Sequence, residues 1–131
     1  MSEQNLEIVR RAYDAFEQGD VDVALAIADP EMVVYRAAPD GATHHGPDGF
    51  MQALAEWTEN FEQFTSSAEE LIDAGDKIVV RVNQTATGAQ SGVPITSDFW
   101  FIHTFRGDKV VRLDMFNDQD QAFEYAGLDR A

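Results

Sequence analysis

The sequence contains no cysteine, only two lysines and no long apolar run. The absence of cysteine excludes disulfides, thiolate nucleophiles and thiolate metal sites. No apolar stretch approaches the ~20 residues that a membrane-spanning helix requires, and the N-terminal residues lack the basic and apolar segments of a secretory signal. We therefore expect a cytoplasmic protein with no role at a membrane.

Basic residues are scarce as a class: nine stand against 24 acidic residues, and the formal net charge is −15. Such a charge repels nucleic-acid phosphates, so nucleic acid is excluded as a partner. The acidic residues are dispersed over what read as exposed helix faces, a distribution typical of a solvated surface. With 131 residues, of which 44% are hydrophobic, the chain is expected to form one domain with its own core.

Helical patterns dominate the first half of the chain. The first helix is capped by Ser2 and stopped by Gly19, and a short second helix is capped by Asp20 and closed by Asp29-Pro30. The third begins at Gly46-Pro47-Asp48 and ends near Phe61. The apolar positions of the long helices, each set at spacings of three and four, are Leu6, Val9, Tyr13 and Phe16 in the first and Phe50, Leu54, Trp57 and Phe61 in the third.

Strand patterns follow the third helix until a short last helix, which Asp118 caps and Gly127 ends. The strands predicted from alternation and β-branched content are Met32 to Ala37, Phe64 to Asp73, Lys77 to Thr87, Ile95 to Arg106 and Lys109 to Asp118, with loops at Ala38 to Thr43 and Gly88 to Gly92. This order predicts an α+β fold in which three N-terminal helices cover one face of a curved antiparallel sheet and enclose an aromatic pocket.

Gly107-Asp108 has the composition of a two-residue hairpin turn, which places Arg106 opposite Lys109. Counting outward pairs Ile102 with Leu113, Trp100 with Met115 and Asp98 with Asn117 on one face, and puts Phe99, Phe101, His103 and Phe105 opposite Phe116, Asp114, Arg112 and Val110 on the other. Both faces are apolar, so one is expected to line the pocket and the other to pack on a second sheet. A homodimer through the sheet is the natural inference.

Four motifs accompany this order: Gly19-Asp20, His45-Gly46-Pro47-Asp48-Gly49, Leu71-Ile72-Asp73-Ala74-Gly75-Asp76-Lys77 and Lys109-Val110-Val111-Arg112. Together they resemble the SnoaL-like branch of the NTF2-like superfamily over nearly the whole chain. The resemblance implies an α+β cone with a pocket between helices and sheet, and it implies a dimer. It also implies that Leu113, Met115 and Asn117 face inward. Relatives include ketosteroid isomerases, polyketide cyclases, epoxide hydrolases, dehydratases and binding proteins, so the resemblance is specific for fold and not for activity.

The catalytic residues of these relatives do not recur here. Ketosteroid isomerases use a tyrosine on the first helix, an aspartate ending the first strand and a protonated aspartate on a later strand. Aligned through Gly19-Asp20, these positions hold Ala12, Arg36 and Ile102, and Tyr13 lies one residue off, about 100° around the helix. The aspartate of the cyclases corresponds to Met115.

Arg36, Asp98 and His103 are the candidate catalytic residues that remain. Arg36 could bind a carboxylate or enolate oxygen, or pair with Asp98 to orient a water; a salt bridge at the pocket mouth is the structural alternative, as is a cross-strand hydrogen bond between Asn117 and Asp98. His103 has a suitable intrinsic pKa, with Asp114 diagonally opposite. The counted register sets His103 away from the helices, which favours an interface histidine; with another register it becomes the first catalytic candidate.

The remaining candidates concern ligands. The substrate-binding wall is expected to suit an apolar, ring-containing molecule and to consist of Tyr13, Phe16, Trp57, Phe61, Trp100, Leu113, Met115 and Asn117. His44-His45 has no partner at ligand spacing, so no metal is expected, and no glycine-rich phosphate loop implies a nucleotide cofactor. Two hypotheses stay open: a cofactor-independent cyclase, isomerase or hydratase acting by acid/base chemistry on a small hydrophobic metabolite, and a dimeric module that only binds one.

Overall fold

A computed structural model of the chain describes residues 2–36, 41–59, 61–88 and 91–128. Four helices accompany a single six-stranded sheet of order β2-β1-β6-β5-β4-β3. The elements in chain order are α1 (Ser2–Glu17), α2 (Val21–Leu25), β1 (Ala28–Arg36), β2 (Ala42–His45), α3 (Gly46–Thr58), β3 (Phe61–Asp73), β4 (Lys77–Gly88), β5 (Pro94–Arg106), β6 (Lys109–Phe116) and α4 (Gln119–Ala126). The α+β class is therefore as predicted.

Three details of the sheet differ from the prediction. The sheet is not wholly antiparallel, because β1 pairs with β6 in parallel while every other neighbouring pair is antiparallel. Strand β2 was not predicted and lies partly in the segment predicted as a loop. Together, β1 and β2 separate α3 from the first two helices in the chain. Asp29 and Pro30, expected to close the second helix, belong to β1, which starts earlier than predicted. Residues 37–40, the end of the predicted first strand and the first half of that loop, lie outside the described residues.

The predicted register of the β5–β6 hairpin is wrong beyond its first two residue pairs. Arg106 lies opposite Lys109 as predicted, but the pairing shifts between Phe105 and Thr104, where Val111 is the extra residue of a β-bulge. His103 is consequently opposite Leu113. One extra residue moves every later side chain to the other face, and alternation could not locate it because both faces of the hairpin are apolar.

The sheet has a different cover on each face. On one side α1 and α3 pack on a cluster that includes Val9, Val34 and Ala53 together with Val80 and Leu113. On the other side the last helix covers part of the sheet; the contacts there join Val79, Trp100, Ile102, Ala122 and Ala126. The predicted packing of a second sheet on this face is thus replaced, at these residues, by α4. A dimer through the rest of the face stays a prediction.

Helix α1 shows why the first pattern folds as predicted. Val9 and Ala12 are buried, Leu6 and Tyr13 pack against the same core, and the opposite positions are exposed. A single apolar stripe at helical spacing leaves only one way to bury the helix on the sheet. Within the described residues, every helix is too short or too polar to cross a membrane.

Candidate functional site

A cavity of about 160 Å³ lies between the helices and the sheet. Most of its lining is apolar. Of the eight residues predicted to line a pocket, six do: Tyr13, Phe16, Trp57, Leu113, Met115 and Asn117. The other two do not, because Trp100 lies on the opposite face of the sheet and Phe61 lies beside the cavity, stacked on Phe64 and tilted against Trp57.

Tyr13 and His103 meet inside this cavity. The Tyr13 Oη and His103 Nε2 atoms are 3.2 Å apart, and the rings meet edge to face with centroids 5.5 Å apart. The prediction that His103 faces away from the helices is wrong, since the bulge in β6 turns the pocket face of the hairpin to His103 and Phe101. Asp114, its predicted partner, lies on the other face and pairs with Arg112 instead, with contacts of 2.9 and 3.0 Å.

The hydrogen-bond network assigns the proton positions of this pair. Nδ1 of His103 lies 3.4 Å from the Ile78 carbonyl oxygen, which can only accept, so Nδ1 carries the hydrogen. Burial lowers the pKa of His103 to about 4, although hydrogen bonding to the Ile78 carbonyl opposes the shift. The neutral ring therefore presents a bare Nε2, and Tyr13 donates its hydroxyl hydrogen to it. The oxygen of Tyr13 keeps its lone pairs for a ligand.

Tyr13 itself is a weak acid in this place. Burial raises the pKa of its hydroxyl well above the ordinary value, because the phenolate would lose its hydration. Both members of the pair are consequently uncharged at neutral pH. They form a neutral hydrogen-bonded pair with an acceptor oxygen at its cavity end.

Arg36 contributes a positive charge to the cavity wall. It ends β1, lines the cavity and is buried. It donates one hydrogen bond to the carbonyl oxygen of Ala53 and one to the Glu56 carboxylate, each with a donor–acceptor distance of 3.4 Å. The predicted pairing of Arg36 with Asp98 is wrong, since Asp98 accepts from Asn83 at 2.9 Å on the opposite face of the sheet and lies near Arg81. The alternative hydrogen bond between Asn117 and Asp98 is wrong for the same reason, because Asn83 lies opposite Asp98 and donates to it.

Sequence reasoning missed Gln84. The indole N–H of Trp57 donates a hydrogen bond to Oε1 of Gln84, with a nitrogen–oxygen distance of 2.8 Å. Both residues line the cavity. Since the indole can only donate, the amide oxygen must face it, and the amide nitrogen is left with two hydrogens for another acceptor. The available signal was the polar Gln84 on the face of β4 that otherwise carries Ile78, Val80 and Val82.

Strand β3 also contributes to the cavity wall a residue that the pattern did not indicate. Gln63 has a φ of 53°, the left-handed region, at a register shift of β3. The next residue, Phe64, lines the cavity. A bulge of this kind re-aims a side chain, here an aromatic ring, and no alternation rule predicts where it falls.

Other predicted side chains have structural partners. Asp118 caps α4 by accepting from the backbone N–H of Gln121 at 2.9 Å, as predicted. Over the ranges that the structure describes, no group of three His, Asp or Glu side chains is placed to hold a metal ion.

The sequence matches the SnoaL-like domain family over residues 9–113, and the chain belongs to that family. None of the curated proteins matches it. The predicted resemblance is confirmed.

Solved structures share the fold at low identity. An NTF2-like protein of unknown function from Burkholderia pseudomallei is 23% identical, with a TM-score of 0.74 over 92% of this chain and 95% of that one. TerC, co-crystallised with polyporic acid, is 23% identical, with a TM-score of 0.74 over 95% and 98%. A protein of ketosteroid isomerase-like fold from Catenulispora acidiphila, in complex with trimethylamine, is 15% identical, with a TM-score of 0.70 over 94% of each chain.

Proposed function

We propose that this protein binds a small, mainly apolar molecule with one ring and an oxygen substituent, and that Tyr13 and His103 move a proton at that molecule. The observation that carries the proposal is the Tyr13–His103 hydrogen bond inside a mainly apolar cavity. A dry apolar cavity of ~150 Å³ accepts benzene, so the volume here suits one ring. Ligand complexes of TerC and of the Catenulispora protein support small-molecule binding by this fold.

The proton relay runs from the ligand to the sheet. Tyr13 Oη takes a proton from an acidic C–H or O–H of the ligand while its own hydroxyl proton passes to Nε2 of His103. The ligand is left as an enolate or alkoxide, and His103 as an imidazolium. Because burial disfavours the imidazolium, the proton returns readily, and its return to a different atom completes an isomerisation or ring closure.

Arg36 has a complementary role in this scheme. The residue lines the same cavity, and in this scheme its positive charge stabilises the negative oxygen that the relay creates. The cyclase or isomerase class of reaction therefore needs no group beyond the side chains of the cavity.

A second candidate function is binding without reaction. It is favoured by the lack of a buried carboxylate base: among the described residues, the only acidic side chain in the cavity lining is Glu17, which is exposed. A homodimeric binding module would use the same wall and the same hydrogen bonds.

Deuterium exchange into cyclohexanone, a one-ring ketone, separates the two functions. If the relay operates, the protein accelerates exchange at the carbons beside the carbonyl in D₂O, followed by proton NMR. Tyr13→Phe and His103→Leu abolish the acceleration, whereas Tyr35→Phe, a change outside the cavity, does not. Exchange at the rate of buffer alone, with the ketone demonstrably bound, would overturn catalysis and leave the binding module.

A further inference from the structure

The segment from His44 to Gly49 joins β2 to α3 with unusually little space between them. A Cβ atom on Gly49 would lie 3.0 Å from the Cβ of His44 and 3.2 Å from its carbonyl carbon. Glycine at this position therefore allows His44 to lie against the first turn of α3. The His44 side chain is only 10% exposed there.

Glu56 follows Gly49 by two helical turns and lies on the same side of α3. Its carboxylate is near three nitrogen atoms. Nε2 of His44 lies 3.3 Å from Oε1 of Glu56. Nη2 of Arg36 lies 3.4 Å from the same oxygen. Gln52 donates to the other oxygen over 3.3 Å. The carboxylate is thus held in place although it is 40% exposed.

Arg36 is the member of this chain of contacts that lines the cavity; His44 and Glu56 stand behind it. A partly buried ion pair is weak evidence for a role in stability, since apolar side chains of similar volume often stabilise a protein as well or better. The guanidinium has a geometry that suits carboxylate and other oxyanion acceptors. Its place in an apolar wall points to a ligand oxygen.

His44, like Arg36, is a polar residue at a position that an apolar residue could fill. Its Nδ1 atom is buried and has no hydrogen-bond partner among the residues that the structure describes. A buried polar atom without a partner is costly, so an apolar residue would fill this space better if filling were the only purpose. Its other nitrogen, Nε2, contacts the carboxylate that holds Arg36.

We propose that the cavity selects ligands with an acidic oxygen, a carboxylate, enolate or phenolate that Arg36 binds, and that His44 is a positioning residue which orients Arg36 through Glu56. This inference rests on the proposed function, because it names the ligand class of the same cavity. The net charge of −15 opposes the entry of anions, so a preference for them requires a local cation.

Benzoate and benzamide test the proposal, because they have nearly the same size and shape and differ in charge. Binding is followed by the indole N–H signals in ¹H–¹⁵N NMR spectra: Trp57 lines the cavity and reports binding, while Trp100 on the opposite face is an internal reference. We expect the protein to bind benzoate about tenfold more tightly than benzamide, the effect of one charge-assisted hydrogen bond.

His44→Ala is expected to remove about tenfold of the benzoate affinity and to leave that for benzamide unchanged. His44→Gln, which restores an N–H toward Glu56, recovers most of the loss. His45→Ala is the matched control, because His45 is exposed and its side chain makes no capping hydrogen bond to α3. Arg36→Met should abolish the preference for benzoate even if His44→Ala does not fold.

Each contrary result has one meaning. Equal affinity of the unmodified protein for both probes overturns the ligand class and leaves the Tyr13–His103 relay standing. Equal losses of both probes in His44→Ala show that His44 is merely structural and overturn its positioning role. Failure of both probes to shift the Trp57 signal overturns binding in the cavity, and with it the proposed function.

Discussion

The hydroxyl of Tyr13 lies 3.2 Å from Nε2 of His103, so a side chain of the first helix is hydrogen-bonded to the centre of the sheet across the cavity. The contact joins residues that are 90 positions apart in the chain. The contact holds α1 on the sheet at the cavity wall, and it includes the histidine whose protonation affects the stability of the protein.

His103 should make the protein less stable in acid. Its pKa is about 4 when folded and near 6.5 when unfolded, so between these values the unfolded chain binds more protons at this residue. The free energy of unfolding therefore rises with pH through this window and falls on acidification, by roughly 1.4 kcal/mol per pH unit at most. Urea unfolding from about pH 4 to 7 measures it.

The control for this titration is His103→Gln. The acidic residues titrate alike in both proteins, so the difference between the two curves isolates the histidine. Parallel curves would mean that His103 is protonated to the same extent in the folded and unfolded states.

Gln84 should stabilise the protein mainly through Trp57. Gln84→Leu leaves the buried indole N–H without an acceptor and should lower the free energy of unfolding by about 1–3 kcal/mol. In a Trp57→Phe background the same change should cost clearly less, because no donor is left. Urea unfolding of the four proteins forms a double-mutant cycle, and additive effects would contradict the assigned hydrogen bond.

Gln63→Gly should stabilise the protein by about 0.5–1 kcal/mol. The left-handed φ of 53° costs a residue with a Cβ about 1–2 kcal/mol, and the greater backbone freedom of unfolded glycine offsets part of the gain. Gln63→Ala keeps the Cβ and should leave stability nearly unchanged. The midpoints of chemical unfolding compare the three proteins; a destabilised glycine variant would refute the strain.

Gly46→Ala should destabilise the protein much more than Gly19→Ala. Both glycines have positive φ, +73° and +84°, and alanine at either costs about 1–2 kcal/mol from this cause. A Cβ at Gly46 would also lie 2.9 Å from the Pro30 carbonyl oxygen, whereas the space around Gly19 is open. Thermal unfolding should therefore show a larger drop in Tm for Gly46→Ala, and equal drops would remove the steric argument.

Part of the candidate site could be predicted from local patterns. The stripe through Val9 and Tyr13 placed α1 on the sheet, and the apolar face of α3 placed Trp57 at the cavity. Arg36, expected at the end of the first strand, is there and lines the cavity. Its partner could not be predicted, because Glu56 comes from a different element and approaches only when α3 packs on β1.

The amino-acid order by itself determined the α+β class, the order of most helices and strands and the turn at Gly107-Asp108, because these depend on spacing and on turn residues close in the chain. Tertiary structure alone decided which side of the sheet His103 occupies. A bulge at Val111 sets that choice. Because both faces of the hairpin carry apolar side chains, only the packing of the whole sheet under its helices distinguishes the two registers.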